Sequence, residues 1–324
     1  MRLLAVGTGT ASSRHVENLI SGGAELSELH VVSSRTDEFR FARIEEPFTV
    51  WRTLPEALAN SAFDAAVIAP VSSAIAPAVA LCVGAGVPCL AEKPLGVSTV
   101  DLQVMKQIQR DVGRGDAWER SRVSFQYRFS PGFAALKETC ESGELGEIVG
   151  VTVRFSESLP KWKPHDNWRS SYAAQFALGG GVVNTQCHEL DLVNRLFGPL
   201  SVVGATFRSS ERLGLDVEDS AAILLVGQSR TSTFPISVFL DMSRDDSERT
   251  IRVDGSKARA RLDLLSGRLL TRDDRHFPKS DRATLFQAVA DDFLSPDGFC
   301  GASLDDGLSL SELIDSIRRM ARAI

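Results

Sequence analysis

Short apolar runs alternate with longer amphipathic stretches in the first third of the chain. Residues 2–6 form an apolar run that leads into a glycine turn and a helical stretch at residues 15–20, and residues 29–33 are a second β-rich run. Residues 65–91 carry no charged side chain, but their prolines and glycines exclude a membrane-spanning helix and indicate strand, helix (72–83) and strand. This alternation is typical of a parallel sheet covered by helices on both faces.

Further patterns complete a first domain at residues 1–122. Residues 48–51 are a predicted strand, and the Thr-x-x-Glu pattern at residues 53–56 starts a predicted helix that runs to residue 60. Another helix is predicted from residue 98 to residue 112. The next residues, 113–121, are polar and rich in turn formers, so we place the end of the domain after them.

The pattern changes to alternation in the second half of the chain. A strand is predicted at residues 123–129 and a helix at residues 131–141, and residues 148–156 alternate, with apolar side chains at every second position from 149 to 155. Further alternating runs lie at residues 202–207, 221–226, 236–242, 251–253 and 258–264. Strands that follow strands predict a large, mostly antiparallel open sheet in a second, α+β domain at residues 123–324. We expect helices at residues 285–294 and 304–323, the last of them packing back on the first domain.

Composition and charge narrow the class of protein. The chain has 324 residues, a net charge of -6 and 43% hydrophobic residues, and its charges are interspersed, so no basic face suits nucleic acid. The N-terminal apolar run is too short for a signal peptide, and we expect a cytoplasmic protein without a membrane partner. The five cysteines lack the spacing of a disulfide framework or of a metal site. They are Cys82, Cys89, Cys140, Cys187 and Cys300.

The glycine turn after the first strand resembles a dinucleotide site. Gly7 would allow the tight turn, and Gly9 would let backbone N–H groups approach the pyrophosphate at the start of a helix. The third position holds Ser12 instead of glycine or alanine, which weakens the match because helix and strand must pack closely there. An ordinary glycine turn would share these features, so the surrounding strand and helix pattern carries the argument.

The end of the second strand bears on the choice of cofactor. An NAD site has Asp or Glu there to bind the ribose 2′-hydroxyl, whereas arginine favours the 2′-phosphate of NADP. This chain has Ser34 and Arg35. We therefore expect NADP to be favoured, with NAD as the alternative; in the other interpretation Arg35 is a solvated loop charge.

Lys93 follows the buried run that ends at residue 91. It would lie at the carboxyl end of a parallel strand, the edge where open α/β sheets bind their ligands. The alternative is a lysine that merely extends into water.

A polar stripe marks a second place of interest. If the segment after the triple glycine 179–181 is one helix, then Asn184, His188, Asp191 and Arg195 share a face. Imidazole titrates near neutrality and a neighbouring acid can orient it, so the stripe suits proton transfer. An ordinary surface helix would give the same pattern.

Several motifs together resemble the Gfo/Idh/MocA family, that of glucose-fructose oxidoreductase and inositol dehydrogenase. The motifs are the G-x-G turn, A-E-K-P at 91–94, Y-R-F-S-P at 127–131, G-E-L-G-E-I at 143–148, W-R at 168–169, the triple glycine with H-x-x-D at 188–191, and L-D-D-G at 304–307. The resemblance covers nearly the whole chain, and E-K-P with the downstream histidine is its specific part. It implies an α/β fold with an N-terminal Rossmann domain, and oxidation or reduction of sugars, polyols or nucleotide sugars with NAD(P). It also implies a homo-oligomer, dimer or tetramer, formed through the C-terminal sheet.

The resemblance assigns roles to residues of this chain. Lys93 would bind the reacting hydroxyl, His188 would act as acid or base, and Asn184 would complete the catalytic set. The implied cofactor contacts are Gly7, Gly9, Thr10, Ala11, Ser12, Ser34, Arg35, Pro70, Glu92 and Lys93. The implied substrate contacts are Lys93, Tyr127, Arg128, Trp168, Arg169, Asn184, His188 and Asp191. Residues 158–172 resemble a branch found with bacterial surface-sugar and nucleotide-sugar pathways.

Three departures from the family pattern leave alternatives open. Besides Ser12, Ala74 stands where a histidine is common, and Asn184 replaces a common aspartate and cannot carry a proton. A sensor that binds dinucleotide or sugar without turnover is one alternative. An epimerase or lyase that uses transient hydride transfer is the other.

Overall fold

The structure is a computed structural model that describes residues 1–34, 41, 47–162, 167–229, 232–279, 281–295 and 300–324. Its strands are, in chain order, β1 (Arg2–Val6), β2 (Glu28–Val32), β3 (Thr49–Trp51), β4 (Ala65–Ile68), β5 (Cys89–Ala91), β6 (Arg122–Val123), β7 (Ile148–Ser156), β8 (Ser201–Arg208), β9 (Ser220–Gln228), β10 (Thr233–Asp241), β11 (Glu248–Gly255), β12 (Arg259–Asp263), β13 (Arg268–Leu270), β14 (Asp274–His276) and β15 (Ala321–Ala323). Its helices are α1 (Thr10–Ser21), α2 (Leu54–Asn60), α3 (Ile75–Gly84), α4 (Thr99–Val112), α5 (Asp116–Arg120), α6 (Pro131–Glu141), α7 (Leu159–Trp162), α8 (Val182–Thr185), α9 (His188–Phe197), α10 (Arg282–Leu294) and α11 (Leu304–Met320).

The chain divides into two compact units. The first comprises residues 1–126 and 282–311, and the second comprises residues 127–281 and 312–324. The first unit thus ends slightly later than the predicted boundary at residue 122. Residues 304–311 of the last helix belong to the first unit and its later residues to the second, and the packing of this helix on the first domain stays a prediction.

A parallel sheet of strand order β3-β2-β1-β4-β5-β6 forms the centre of the first unit. All four residues of β4 are buried, because helices cover both faces of the sheet, and this explains its uninterrupted apolar sequence. The order reverses between β1 and β4, which creates the crevice at which doubly wound sheets bind ligands. The chain segments that follow β1, β4 and β5 all leave the sheet at this carboxyl edge.

Helix starts in the first unit follow local sequence rules. Ser98 and Asp101 form a reciprocal capping box at the start of α4, as the pattern predicts. Thr53 accepts a hydrogen bond from the Glu56 N–H (3.3 Å) and caps α2. Residue 74 ends a short 3₁₀ turn before α3, so the predicted helix at 72–83 begins three residues later as an α-helix.

A nine-stranded, mostly antiparallel sheet forms the second unit, in the order β14-β13-β12-β11-β7-β10-β9-β8-β15. Buried and exposed positions alternate along β9 and β10, so one face of the sheet forms a core. The helix α6 packs on β12 and β13, and α8 packs near β9 and β10. The α/β fold class with these two sheets confirms the prediction.

Two local predictions were wrong. Residues 123–129 do not form one strand: β6 ends at Val123, and a 3₁₀ helix covers Gln126–Phe129. The segment after the triple glycine is not one helix, because α8 ends at Thr185 and α9 begins at His188. Among the described residues, no helix has both the length and the apolar character that crossing a membrane requires.

Candidate active site

The glycine turn after β1 has the geometry that a dinucleotide needs. Gly7 has φ +102°, and a Cβ at this position would lie 2.6 Å from the Ala69 carbonyl oxygen. Only glycine combines that backbone conformation with that close approach. At Gly9 a Cβ would meet no atom within 4 Å, so the packing of the protein does not require glycine there. Open space beside this backbone is what a pyrophosphate group would use.

The first turn of α1 has no acidic side chain that would compete with a phosphate for its N–H groups. No side chain caps the helix, its first turn holds no acidic residue, and Thr10 is exposed while Ala11 is partly exposed. The amino end of a helix carries partial positive charge and N–H groups without helical partners. Together with the glycine turn, these features fit the phosphates of a dinucleotide.

Ser12 differs from the other predicted cofactor contacts, because its side chain is fully buried. Its Oγ has no hydrogen-bond partner among the described residues. The third glycine of the dinucleotide turn lets helix and strand pack closely, and the small Ser12 side chain occupies that buried position here. The Ser12 side chain can therefore affect the cofactor only through the placement of α1, whereas contact through its backbone N–H stays a prediction.

The remaining predicted cofactor contacts lie at the same edge of the sheet. Pro70, which follows β4, is partly exposed, and Ser34, which follows β2, is exposed. The Ser33 N–H donates to the Trp51 carbonyl (3.0 Å) and continues the strand pairing up to this point. Arg35 lies outside the described residues.

Glu92 and Lys93 leave β5 at the carboxyl edge. The Glu92 N–H donates to the Ile68 carbonyl (2.8 Å), and the Lys93–Pro94 peptide bond is cis. The Glu92 carboxylate receives two hydrogen bonds, one from the Lys93 N–H (3.2 Å) and one from His15 Nε2 (2.9 Å). Burial alone would raise the pKa of Glu92, but the hydrogen bond and the electrostatic influence of His15, with the charges of Lys93 and Arg14, lower it from 4.5 to about 2. The Glu92 side chain is therefore a carboxylate at neutral pH.

In the second unit, His188 opens α9 after the triple glycine. Its ring lies edge-on to the Tyr127 ring at a centroid distance of 5.2 Å, and only 7% of His188 is exposed. Gly179 and Gly181 have φ values of +80° and +99°, which turn the chain into α8. The structure thus brings Tyr127 and His188 together, and their contact with substrate stays a prediction.

Asn184 is not on the same helix face as His188. Its Nδ2 donates to the carbonyls of Gly179 (3.1 Å) and Gly180 (3.2 Å), so the amide braces the glycine turn. The predicted single polar stripe was wrong because α8 ends at Thr185 and α9 begins at His188. The Oδ1 atom of Asn184 has no hydrogen-bond partner among the described residues and is buried. Its catalytic role stays a prediction.

Arg128 and Asp191 bind each other. Arg128 Nε donates to both carboxylate oxygens of Asp191 (3.1 and 2.9 Å), and Nη2 donates to Oδ1 (2.6 Å). Their side chains are 3% and 2% exposed. This buried, multiply bonded pair joins the segment next to Tyr127 to the helix that begins at His188. Direct substrate contact by either residue stays a prediction.

Trp168 and Arg169 belong to a 3₁₀ turn that Asn167 caps, with Arg169 N–H donating to Asn167 Oδ1 (3.2 Å). The Arg169 guanidinium lies over the Trp168 ring at 4.1 Å. Arg169 is exposed, and residues 163–166 just before the turn lie outside the described residues. Their predicted contact with substrate stays a prediction.

Arg249 of β11 is a residue that none of the sequence motifs indicated. Its guanidinium lies over the Tyr127 ring at 3.5 Å and over the Phe155 ring at 4.3 Å, and its Nε donates to Glu189. Burial opposes its charge, but the Glu189 carboxylate more than offsets this, and the pKa of Arg249 is raised. Arg249 lies on the same strand face as the buried Ile251 and Val253. A charged residue at an inward position of an alternating strand is the sequence feature that could have revealed it.

His15 was also missed. It is fully buried in α1, and its partner Glu92 follows 77 residues later in the chain. A single histidine on a helix face gives no sign of such a partner, because the contact depends on the sheet that brings α1 to the end of β5.

The strand order, the glycine turn and the lysine at the carboxyl edge are typical of a Rossmann-type dinucleotide-binding domain. A model of the oxidoreductase family with an NAD-binding Rossmann fold matches residues 1–114, and a model of the GFO/IDH/MocA C-terminal domain matches residues 133–261. The chain belongs to the Gfo/Idh/MocA family, which confirms the resemblance inferred from its motifs.

Curated relatives match part of the chain. Inositol 2-dehydrogenase 2 of Paenarthrobacter aurescens is 27% identical over 203 residues, which cover 61% of this chain and 56% of that protein. Trans-1,2-dihydrobenzene-1,2-diol dehydrogenase of Bos taurus is 26% identical over 196 residues, which cover 57% and 50%. The chain spans about half the length of these curated relatives.

Solved structures share the fold over the whole chain. The WlbA dehydrogenase of Bordetella pertussis, in complex with NADH and UDP-GlcNAcA, has a TM-score of 0.76 and 21% identity, covering 99% of this chain and 95% of that one. The 3-ketoreductase KijD10 of Actinomadura kijaniata, in complex with NADP and TDP-benzene, has a TM-score of 0.73 and 18% identity, covering 100% and 98%. At these identities the likeness concerns the fold.

Proposed function

We propose that this protein is an NAD(P)-dependent oxidoreductase that interconverts a carbinol and a carbonyl group of a sugar, polyol or nucleotide sugar. The observation that carries the proposal is the E-K-P turn at the carboxyl end of β5, which delivers Lys93 to the same sheet edge as the glycine turn. A lysine at this edge lies where a ligand would bind at the switch point of the sheet.

The cofactor would be held by the glycine turn, the first turn of α1 and the segments after β2, β4 and β5. Bound nicotinamide would accept a hydride from the carbinol carbon or return it to the carbonyl carbon. The chain itself supplies the charge and the proton transfer that this exchange needs.

Lys93 would stabilise the oxygen of the reacting carbinol. Negative charge grows on that oxygen as the C–H bond breaks, and a fixed ammonium group stabilises the transition state more than the neutral alcohol. His188 would remove the hydroxyl proton in oxidation and supply it in reduction, because a neutral imidazole can accept a proton near pH 7. Asn184 can donate or accept a hydrogen bond but cannot relay the proton.

NADP is the proposed preferred cofactor. The support is the sequence Ser34-Arg35 after β2 and the lack of an acidic residue at these two positions. An arginine can bind a 2′-phosphate with two charge-assisted hydrogen bonds.

The proposed setting is bacterial surface-sugar biosynthesis in the cytoplasm, supported by the resemblance of residues 158–172 to that branch.

A homo-oligomer through the nine-stranded sheet is part of the proposal. Leu224 of β9 is 43% exposed, and in the register of the sheet it pairs with Ser237 of β10, which in turn pairs with Thr152 of β7. Val149 and Val203 are also exposed, 59% and 50%, at the positions of β7 and β8 where the pairing register shifts. An exposed apolar side chain such as Leu224 within an open sheet face is consistent with a surface that another subunit covers.

Replacing Lys93 with alanine tests the function. We expect kcat to fall by about 10²- to 10⁴-fold while cofactor affinity is kept, because loss of one electrostatic or acid–base group has effects of this size. Turnover is followed by absorbance at 340 nm over a panel of sugars and nucleotide sugars with both cofactors. Lys106→Ala, an exposed lysine on α4, is the matched control and should retain full activity.

The outcome separates the proposal from its alternatives. Full turnover in Lys93→Ala would exclude the role given to this residue. Thermal stabilisation by cofactor with no turnover of any sugar would indicate a sensor. Cofactor that cycles between its two forms without net consumption would indicate an epimerase or lyase.

A further inference from the structure

His15 is a buried titratable residue beside the proposed catalytic turn, and none of the proposed steps uses it. It lies in the second turn of α1 and is fully buried. Its Nε2 is 2.9 Å from Glu92 Oε1, and its ring lies edge-on to Phe286 of α10 at 5.5 Å. The residue therefore touches both the helix packed on α1 and the residue before Lys93.

The Glu92 carboxylate connects α1 to the Lys93 backbone. One oxygen receives the His15 hydrogen bond, and the other accepts from the Lys93 N–H at 3.2 Å. The backbone N–H of Glu92 is held by the Ile68 carbonyl of β4 at 2.8 Å. The Glu92 residue is thus held at its carboxylate and at its backbone N–H. The carboxylate therefore fixes the position of the Lys93 backbone, from which the lysine side chain extends.

The protonation states of this cluster follow from its charges. The groups that face Glu92 are His15 and Arg14 from α1 and Lys93 from its own turn. On α10, the Phe286 ring lies against His15, and the guanidinium groups of Arg14 and Arg282 lie over that ring at 3.9 and 5.7 Å. An ionised carboxylate can only accept hydrogen bonds, so His15 Nε2 must carry the proton it shares with Glu92.

We propose that His15 is a positioning residue that holds the Glu92 carboxylate and, through it, fixes the backbone from which Lys93 reaches the substrate. The inference rests on the proposed function, because it assigns His15 a task through Lys93. A histidine that only filled space between α1 and Phe286 could be replaced by any side chain of similar volume. The hydrogen bond to Glu92 is what distinguishes the two roles.

The experiment compares His15→Phe with His15→Gln. Phenylalanine keeps an aromatic ring against Phe286 but cannot donate to Glu92, whereas the Gln amide can replace the Nε2–H donor. In His15→Phe we expect kcat to fall by about 10²-fold, the scale of a small misplacement of a catalytic group, with cofactor affinity changed much less. His15→Gln should restore most of the lost kcat.

A second readout needs no substrate. The pKa of Glu92 is depressed to about 2, so its ionised form stabilises the folded state above its ordinary pKa of 4.5, and this stability is lost as the pH falls towards 2. In His15→Phe the Glu92 carboxylate keeps the Lys93 N–H but loses the His15 donor, so its pKa rises and its ionised form stabilises the folded state less at neutral pH. The difference in melting temperature between wild type and His15→Phe should therefore be largest at neutral pH and shrink as the pH is lowered towards 4.

The double variant His15→Phe/Glu92→Gln completes the test. Its melting temperature should exceed the value expected from adding the two single shifts, since the pair is coupled. Additive shifts, a melting difference independent of pH, or equal kcat in His15→Phe and wild type would each overturn the inference. A wild type that turns over no sugar would overturn the proposed function, and the melting temperatures would still decide whether His15 holds Glu92.

Discussion

Cofactor choice is decided at the scale of single residues. In the proposed cofactor site, Gly7 and Gly9 would face the phosphates that NAD and NADP share, so they would not distinguish the two cofactors. The two cofactors differ at the ribose 2′ position, and the residues that follow β2 are therefore the ones that can distinguish them. In this chain those residues are Ser34 and Arg35.

The NADP proposal predicts that NADPH binds more tightly than NADH by about tenfold to a hundredfold. A hydrogen bond to a charged group contributes about 1.5 to 3 kcal/mol, and about 1.4 kcal/mol corresponds to a factor of ten. Arg35→Ala should remove most of the difference and leave NADH affinity nearly unchanged. Calorimetric titration of both cofactors measures this, with Arg52→Ala as a control on an exposed arginine of the same unit. Equal affinities in the wild type would contradict the prediction.

At the scale of elements, buried ion pairs connect segments that are far apart in sequence. Arg128 and Asp191 are 63 positions apart and join the 3₁₀ helix Gln126–Phe129 to α9. Arg249 of β11 and Glu189 of α9 make a second buried ion pair next to Tyr127. Pairs of this kind fix the position of His188 because each charge is costly to leave unpaired in the interior.

Arg128→Met should lower the stability of the protein by about 3 to 5 kcal/mol, since Asp191 is left as an unpaired buried charge. The double variant Arg128→Met/Asp191→Leu should recover much of the loss, because no buried charge remains. Thermal unfolding followed by circular dichroism measures both. Arg252→Met is the control: its pair with Asp254 is 42% and 27% exposed, and its loss should change stability by less than about 1 kcal/mol. A similar loss in both single variants would contradict the argument.

At the scale of the whole molecule, the outer face of the nine-stranded sheet exposes apolar side chains that a monomer would leave in contact with water. Its alternating pattern buries one face in the second unit and leaves apolar residues such as Leu224 exposed on the other. An open face of this kind favours association with a second copy, because burying apolar surface releases about 25 cal/mol for each Å².

The oligomer prediction is tested with Leu224→Glu. A charge at the centre of a buried subunit interface would be left without a partner, so we expect the variant to be a monomer where the wild type is a dimer or tetramer. Light scattering coupled to size exclusion gives the mass of each. Leu81→Glu, at a residue of α3 that is 45% exposed, should leave the mass of the assembly unchanged. A monomeric wild type would end the proposal.

The sequence by itself determined the fold class, the family and most elements. Buried parallel strands, capped helices and alternating strands leave local patterns, and Pro131–Glu141 and Ile148–Ser156 have the predicted bounds. The Gly7 turn and the strand that ends before Lys93 were also visible, because glycine and apolar runs report local backbone needs.

Only the tertiary structure decided which polar groups meet. Asn184 turns towards the glycine carbonyls because a break between α8 and α9 interrupts the helical period that placed it beside His188. His15 reaches Glu92 because β1 and β5 flank β4 in the sheet, an arrangement that sequence spacing does not encode. Local sequence patterns reflect the propensities of neighbouring residues. Contacts between distant polar groups depend instead on long-range strand order and helix packing, and these contacts set the chemistry of the site.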